Sequence, residues 1–577
     1  MTAGAVRAQG QSEGMRKLSL ADFAITNLYV DEVDEAKLVE DGIRGMLEKL
    51  DPHSTYTTAE ETKEMNEPLQ GNFSGIGIQF NMNRDTLYVI QTIVGGPSEK
   101  VGILAGDRIV SVNDTVIAGV KMKNTDIMKR LRGEAGTVVR VSVLRKGVKE
   151  PIEFRIVRDK IPIYSIDASY MADKEFSDAL KALKKKGMKN LIVDLQGNGG
   201  GYLVSAIGMA DEFLDDGQSI VYTEGRRSPR DDAFATKQGL FQKGKLVLLV
   251  DESSASASEI LSGAVQDWDR GVIVGRRTFG KGLGQRPIPF PDGSMIRLTV
   301  ARYYTPAGRS IQKPYDKGHE AYERELLDRF NHGELIYTDS IHFPDSLQYQ
   351  TLKSKRIVYG GGGIMPDVFV PLDTTIYTDF HRDLLAKGVL NQYPINYLDK
   401  HRKELTSRYK NVEQFVEGFT VTDEMLADLL KMGEAEKVKY DEEQYQKSRN
   451  LIALQVKALV ARDMFDTAAY FRIMNPENPS FVKAMAIIHD DAEYNRLLQP
   501  REFGFYLIRY DGLSSLPHSP GDILVHYRNE QVDDEQGEGY IDVSCENFSL
   551  SENFHKDSLK GDLYENMDAK DEKCRYT

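Results

Sequence analysis

The alternation of apolar and polar positions changes character several times along the 577-residue chain. Apolar residues recur at helical spacing through Lys17 to Tyr29 and Glu35 to Leu50, which predicts a helical entry segment. Between Phe73 and about Arg158 the pattern becomes short strands with glycine turns. Ile76 to Phe80, Leu87 to Ile90, Arg108 to Val112 and Val138 to Leu144 predict a small β-rich module. From Ile161 to about Asp373 strands and helices alternate, as in an α/β core. Within it Leu191-Ile192-Val193, Lys245 to Val250 and Gly271 to Gly275 read as strands, and the continuous apolar run Lys245 to Val250 as one buried on both faces. Phe176, Ala179, Leu180 and Leu183 make one helical stripe, and Tyr202 to Leu214 is amphipathic. Thr374 to about Leu498 is helical and charged, with apolar spacing in Leu451, Leu454, Val456, Leu459 and Val460. The remainder, from about Gln531, is acidic and too poor in large apolar residues for a core of its own.

The candidate chemistry starts where the strand ending at Val250 gives way to the helical run from Ile260. Small residues crowd that junction, Ser253-Ser254-Ala255-Ser256-Ala257-Ser258-Glu259. A serine at the head of a helix is either an ordinary N-cap or a nucleophile, because the unpaired N–H groups and the helix dipole there favour an oxyanion. Lys281 lies beyond the next short strand, in Thr278-Phe279-Gly280-Lys281-Gly282-Leu283-Gly284-Gln285. A neutral lysine can serve a serine as base if an apolar pocket lowers its pKa. Gln285, four residues on, points to the same side in a strand or a helix and is placed to orient it. Gly275, Gly280 and Lys281 also fit part of a phosphate-binding loop. That reading lacks the Ser or Thr at Gly282, and Pro287, Pro289 and Pro291 bar the helix it needs.

These segments resemble the C-terminal processing, or tail-specific, serine peptidases. The hallmark of that family is a small-residue S-A-S-A-S-E segment followed by T-F-G-K-G and a glutamine four residues after the lysine, and all of it stands here. The usual valine before that glutamine is Gly284. The resemblance implies Ser256 as nucleophile, Lys281 as general base and Gln285 as its orienting partner. A third element agrees: Asp194-Leu195-Gln196-Gly197-Asn198-Gly199-Gly200-Gly201 is similar to the family's D-L-R-x-N-P-G-G turn, with Gln196 for its arginine and Gly199 for its proline. By that match the N–H groups of Gly200 and Ala257 would form the oxyanion hole. The expected fold is a multidomain α/β protein with a ClpP/crotonase-like protease core, an inserted β-rich PDZ domain and flanking helical regions.

The β-rich module resembles a PDZ domain through Gly75-Ile76-Gly77-Ile78 and Ala105-Gly106-Asp107-Arg108. Such domains add a peptide strand to a sheet edge and hold its carboxylate on backbone N–H groups. The resemblance implies that Gly75, Ile76, Gly77 and Ile78 bind substrate tails with apolar ends. A small barrel without a ligand is the alternative. Expected boundaries are 1–17 for a disordered leader, 18–70 for the entry helices, 71–160 for the PDZ domain, 161–373 for the protease core, 374–498 for the C-terminal helices and 499–577 for the acidic tail. Leu50-Asp51-Pro52-His53-Ser54 also resembles the family's N-terminal region, with His53 read as a turn or capping residue. One departure stands out: between Ser169 and Phe176 there is no room for the strand of G-Y-I type that the family places there. The charged insert from His319 to Lys355 reads as a solvated surface excursion.

Composition narrows the function classes. The chain is 41% hydrophobic and 28% charged, enough for real cores. A net charge of −14 with no basic domain argues against nucleic acid as a partner. No run of about 18 apolar residues is present to span a membrane. Both cysteines, Cys545 and Cys574, stand near the end, away from the catalytic segments, and no Cys/His zinc spacing occurs. Neither metal nor organic cofactor is expected. Met1 to Gly14 lacks the apolar stretch of a signal peptide, whereas the resemblance implies an exported, periplasmic protein and a possible homodimer. The leading reading is a serine endopeptidase with a Ser/Lys dyad acting on proteins with apolar C-termini. A non-catalytic peptide-binding scaffold and a nucleotide-dependent enzyme are the rival classes.

Overall fold

The computed structural model describes residues 12–63, 72–83, 85–93, 95–162 and 174–500. The expected missing strand before Phe176 and the acidic tail beyond residue 500 lie outside them, as do Cys545 and Cys574. Helices Glu13–Leu28 and Glu35–Leu47 begin on Ser12 and Asp34, whose side chains accept the first free helical N–H groups.

The PDZ segment is a six-stranded antiparallel sheet with two short helices, Pro97–Val101 and Asn124–Leu131. Its strands run in the order Ile78–Asn83, Thr86–Thr92, Arg108–Val112, Val138–Leu144 and Ile152–Val157, with Thr115–Val116 added to Arg108–Val112. Ile76, Leu87, Val89, Ile109, Ile127 and Val141 pack its separate core. The chain enters and leaves this module side by side, because Asn72–Gly75 pairs antiparallel with Asp159–Pro162. That pairing is what an inserted domain requires.

The α/β body holds a parallel sheet in the order Leu191–Asp194, Leu246–Val250, Val272–Gly275, Val368–Phe369. The central strand is fully buried, and its alternate residues face different cores. Leu246, Leu248 and Val250 pack with Phe213, Ile260 and Leu261 on one side. Val247 and Leu249 pack on the other with Ala484, Ile487, Tyr494 and Leu497. The last two helices, Pro479–His489 and Asp491–Leu497, therefore form the second covering layer of this sheet. The helices between Asp379 and Met474 build a core of their own around Leu390, Phe415, Leu429 and Ile452. This helical body meets the PDZ sheet, where Arg108 forms a 2.7 Å ion pair with Asp399.

A second, antiparallel sheet carries the lysine segment. The long strand Met295–Tyr304 pairs with Thr55–Thr57, with Ser219–Gly225 and with Leu283–Pro289. Pro287 and Pro289 stand in the last of these, which pairs on one side only, where a missing N–H costs no ladder bond. A strand rather than a helix follows Lys281, so the phosphate-loop geometry is not formed. Across the described residues no helix is long and apolar enough to cross a membrane.

Candidate active site

Ser256 occupies the sharp corner between strand Leu246–Val250 and helix Ala257–Asp267, at φ 56° and ψ −112°. A non-glycine residue at positive φ is strained and persists only where its surroundings hold it. Glu259 supplies that hold. Its fully buried carboxylate accepts N–H from Ser256 at 2.8 Å, N–H from Gly280 at 2.7 Å, N–H from Lys281 at 2.8 Å and the Thr278 hydroxyl at 2.6 Å. One side chain thus ties the serine corner to the lysine loop. Burial raises the Glu259 pKa and these donors oppose it; all four point at the carboxylate, which is the arrangement an ionised group requires. The spacing Ser256-x-x-Glu259 is that of a capping box, a signal present in the sequence to which no role had been attached. Thr278 in turn accepts the Ile364 N–H at 2.6 Å, so the glycine loop 360–363 packs behind the site.

The turn after Asp194 approaches the same corner. Gly200 has φ 89°, and a Cβ there would stand 2.5 Å from the Ala255 carbonyl, 2.7 Å from Ala257 N and 2.9 Å from Ser256 Cβ. Only glycine fits. Ala257, first residue of its helix, has an N–H with no hydrogen-bond partner among the described residues. The Gly200 N–H donates to Asn198 Oδ1 at 2.9 Å, so an incoming oxyanion competes with that side chain for it. Asn198 also fastens the two turns together, accepting the Ala255 N–H at its carbonyl and the Ser258 hydroxyl at Oδ1. Asp251 does the same from below, accepting N–H from Gly197 and Ser254. Neither Asn198 nor Asp251 was singled out in the sequence, since each acts by bridging segments far apart in the chain.

Lys281 is half-buried, and its pKa is lowered, first by burial and then by Arg297, with Glu259 opposing. Gln285 does not donate to it. Its amide nitrogen donates to the Leu283 carbonyl at 2.9 Å and to Thr299 Oγ1 at 3.3 Å, which leaves the amide oxygen as the free end. His53 lies in the turn as expected, its N–H donating to Asp51, but its ring also bonds the Tyr322 hydroxyl at 2.9 Å.

The insert from His319 departs from the expected surface excursion. Its helix His319–Asn331 buries Tyr322 and Arg329 against the lysine loop, where Arg329 donates to the carbonyls of Thr278 and Arg277. Lys313 is buried beside it, paired with Glu325 at 3.0 Å and stacked over Phe279 and Tyr322. Charge count alone suggested solvent; apolar Tyr322 and the buried arginine decide otherwise.

In the PDZ segment Ile76 points its side chain into the core, so it offers a ligand only backbone. Gly77 has φ 74°, and a Cβ would stand 2.9 Å from Ile161 Cδ1. The carbonyl of Ile76 accepts the Ser98 N–H and hydroxyl, which anchors the loop to helix Pro97–Val101.

Comparison with known proteins identifies the family of each segment. Peptidase family S41 matches residues 160–318, the PDZ domain family residues 74–156, and the activating protease CtpB N-terminal domain residues 2–62. Residues 380–466 match a family of unknown function. The carboxy-terminal-processing protease of Bartonella bacilliformis is 39% identical over 303 residues, 49% of this chain and 69% of that one. The carboxy-terminal processing protease CtpB of Bacillus subtilis is 35% identical over 329 residues, 53% of this chain and 68% of that one. A solved photosystem II D1 C-terminal processing protease aligns with 52% of this chain and 91% of its own at 29% identity, with a TM-score of 0.30. With two relatives more than 30% identical matched over more than two-thirds of their length, and a PDZ domain match followed by a family S41 match, the chain belongs to the carboxy-terminal processing proteases, serine-type peptidases.

Proposed function

We propose that the chain cleaves proteins captured by their C-terminal tails, with Ser256 as nucleophile and Lys281 as general base. Ser256 Oγ attacks the peptide carbonyl, the neutral Lys281 amine takes the hydroxyl proton, and the resulting ammonium returns a proton to the leaving amine. The N–H groups of Ala257 and Gly200 bind the oxyanion. Gln285, its nitrogen anchored on Leu283 and Thr299, is assigned to orient the lysine through its amide oxygen. The observation that carries this reading is the buried Glu259, which accepts N–H from both Ser256 and Lys281 and so couples the two residues within one rigid corner.

Substrate capture is assigned to the loop Gly75-Ile76-Gly77-Ile78 and the strand after it. Among the described residues Ile78–Asn83 pairs only with Thr86–Thr92, which leaves an edge for an added peptide strand. Export to the periplasm and a homodimer are further parts of the proposal that rest on family resemblance.

The test compares the parent chain with Ser256→Ala and Lys281→Ala on an unfolded protein with an apolar C-terminus, alongside labelling by a serine-directed phosphonate. Cleavage and labelling by the parent alone are expected. Full activity in either variant overturns the dyad, and tail binding by a parent that never cleaves gives the scaffold reading the lead.

A further inference from the structure

The lysine loop has a second set of supports. Gly282, the residue after Lys281, donates its N–H to Gln312 Oε1 at 2.8 Å. A backbone N–H only donates, so the oxygen of that amide is identified and its nitrogen must face the other way. There it meets the Lys313 carbonyl at 2.8 Å and the Tyr322 hydroxyl at 3.4 Å. The Tyr322 hydroxyl also lies 2.9 Å from His53 Nε2, and with its proton on that side it donates to a neutral imidazole. A chain of polar contacts therefore runs from the lysine loop through Gln312 and Tyr322 to the imidazole. Only a neutral ring has a nitrogen free to accept.

His53 is held from the opposite side by its own turn. Asp51, itself buried, accepts N–H from His53 at 2.9 Å and from Ser54 at 3.1 Å, and the Ser54 hydroxyl at 2.5 Å. It also accepts the Thr299 hydroxyl at 2.9 Å, the same hydroxyl that accepts from Gln285. Pairing of Thr55 with Arg297 fixes the turn in this register. The turn thus reaches the lysine segment twice, through Tyr322 and Gln312 to Gly282 and through Thr299 to Gln285.

We infer that His53 and Tyr322 are positioning residues for Lys281, joining the N-terminal turn and the inserted helix His319–Asn331 into a bracket that fixes the lysine loop and walls it with an uncharged ring. The inference deepens the Ser/Lys reading and rests on it. The charged and titratable groups facing His53 agree with a neutral ring: Lys281, Lys313 and His319 lie on the cationic side, Asp51 alone opposes them, and with burial as the largest cause the pKa falls to about 4. A protonated ring would add a cation beside Lys313 and at the Lys281 amine.

The experiment measures kcat, KM and the pH profile of kcat on the unfolded apolar-tailed substrate for His53→Ala, His53→Gln and Tyr322→Phe, with thermal unfolding as a check of folding. Expected is a fall in kcat of about tenfold or more in His53→Ala and Tyr322→Phe with KM unchanged, as displacement of a catalytic group causes. The acid limb of the profile should move as well. His53→Gln, whose amide oxygen reaches the place of Nε2, should restore most of the rate and the original limb. Rates and limb unchanged in His53→Ala and Tyr322→Phe overturn the inference. So does lowered thermal stability with the limb unmoved, which marks a merely structural role. Activity retained by Lys281→Ala would overturn the dyad itself, an outcome read independently of His53 and Tyr322.

Discussion

Gly200→Ala tests whether the glycine turn and the serine corner form one reacting centre. Two costs follow from the structure. Alanine at φ 89° pays the left-handed penalty of about 1–2 kcal/mol. The added Cβ would also stand 2.5 Å from the Ala255 carbonyl and 2.7 Å from Ala257 N, where carbon contacts need about 3.5 Å. Those atoms belong to a corner locked by Glu259, so the turn must move by about 1 Å, a shift that costs on the order of 100-fold in rate. Loss of an oxyanion donor alone is worth about 2.7–4 kcal/mol, a similar factor. The expected result is a fall in kcat of about 100-fold or more, with KM for tail-bearing substrates unchanged because capture is remote. Gly187→Ala is the control: Gly187 has the same φ of 89° with no atom within 4 Å of the added Cβ, so it bears the backbone cost without the collision. Initial rates and phosphonate labelling of both variants decide the matter. If Gly200→Ala stays within about threefold of Gly187→Ala, the close approach does not lie at the reacting centre and the argument fails.

Two other perturbations probe the lysine side. Glu259→Ala strands four donors in the interior, each worth about 1–3 kcal/mol when unpaired, and should abolish labelling; Glu259→Gln keeps an oxygen for Ser256 and Lys281 and should lose only about tenfold. Equal loss in both, measured as labelling rate against thermal stability, would show that the two-sided coupling is not what matters. Arg297 depresses the Lys281 pKa, so Arg297→Gln should raise it. A base works when neutral and its neutral fraction grows with pH, so the acid limb of the kcat profile should shift to higher pH, with the rate lowered at neutral pH and recovered in alkaline buffer. A shift to lower pH, or none, would remove Arg297 from the lysine's environment.

Local patterns were enough to define the elements of this protein. Leu246–Val250 is legible because an unbroken apolar run can only be a strand covered on both faces, and Leu283–Pro289 is legible as something other than a helix because three nearby prolines forbid one. The strings around Gly200, Ser256 and Lys281 stand out because runs of small residues are costly unless a turn or close approach requires them, and the family resemblance picked the candidate residues within them. What joins those strings was not legible. Glu259 accepts from residues on both sides of an intervening strand, Asn198 bridges two turns, and Asp51 and His53 meet Thr299 and Tyr322 across more than two hundred positions. The insert from His319 misled for the same reason: its charges suggested solvent, while Tyr322 and Arg329 find buried partners only once the lysine loop is folded beside them. The sequence by itself determined the periodicities, the corners and the candidate side chains, since those depend on neighbours a few bonds away. Which buried polar group satisfies which, and hence how the serine and lysine are held, was decided by the tertiary structure, because hydrogen-bond partners in a dry interior are chosen by proximity in space and not along the chain.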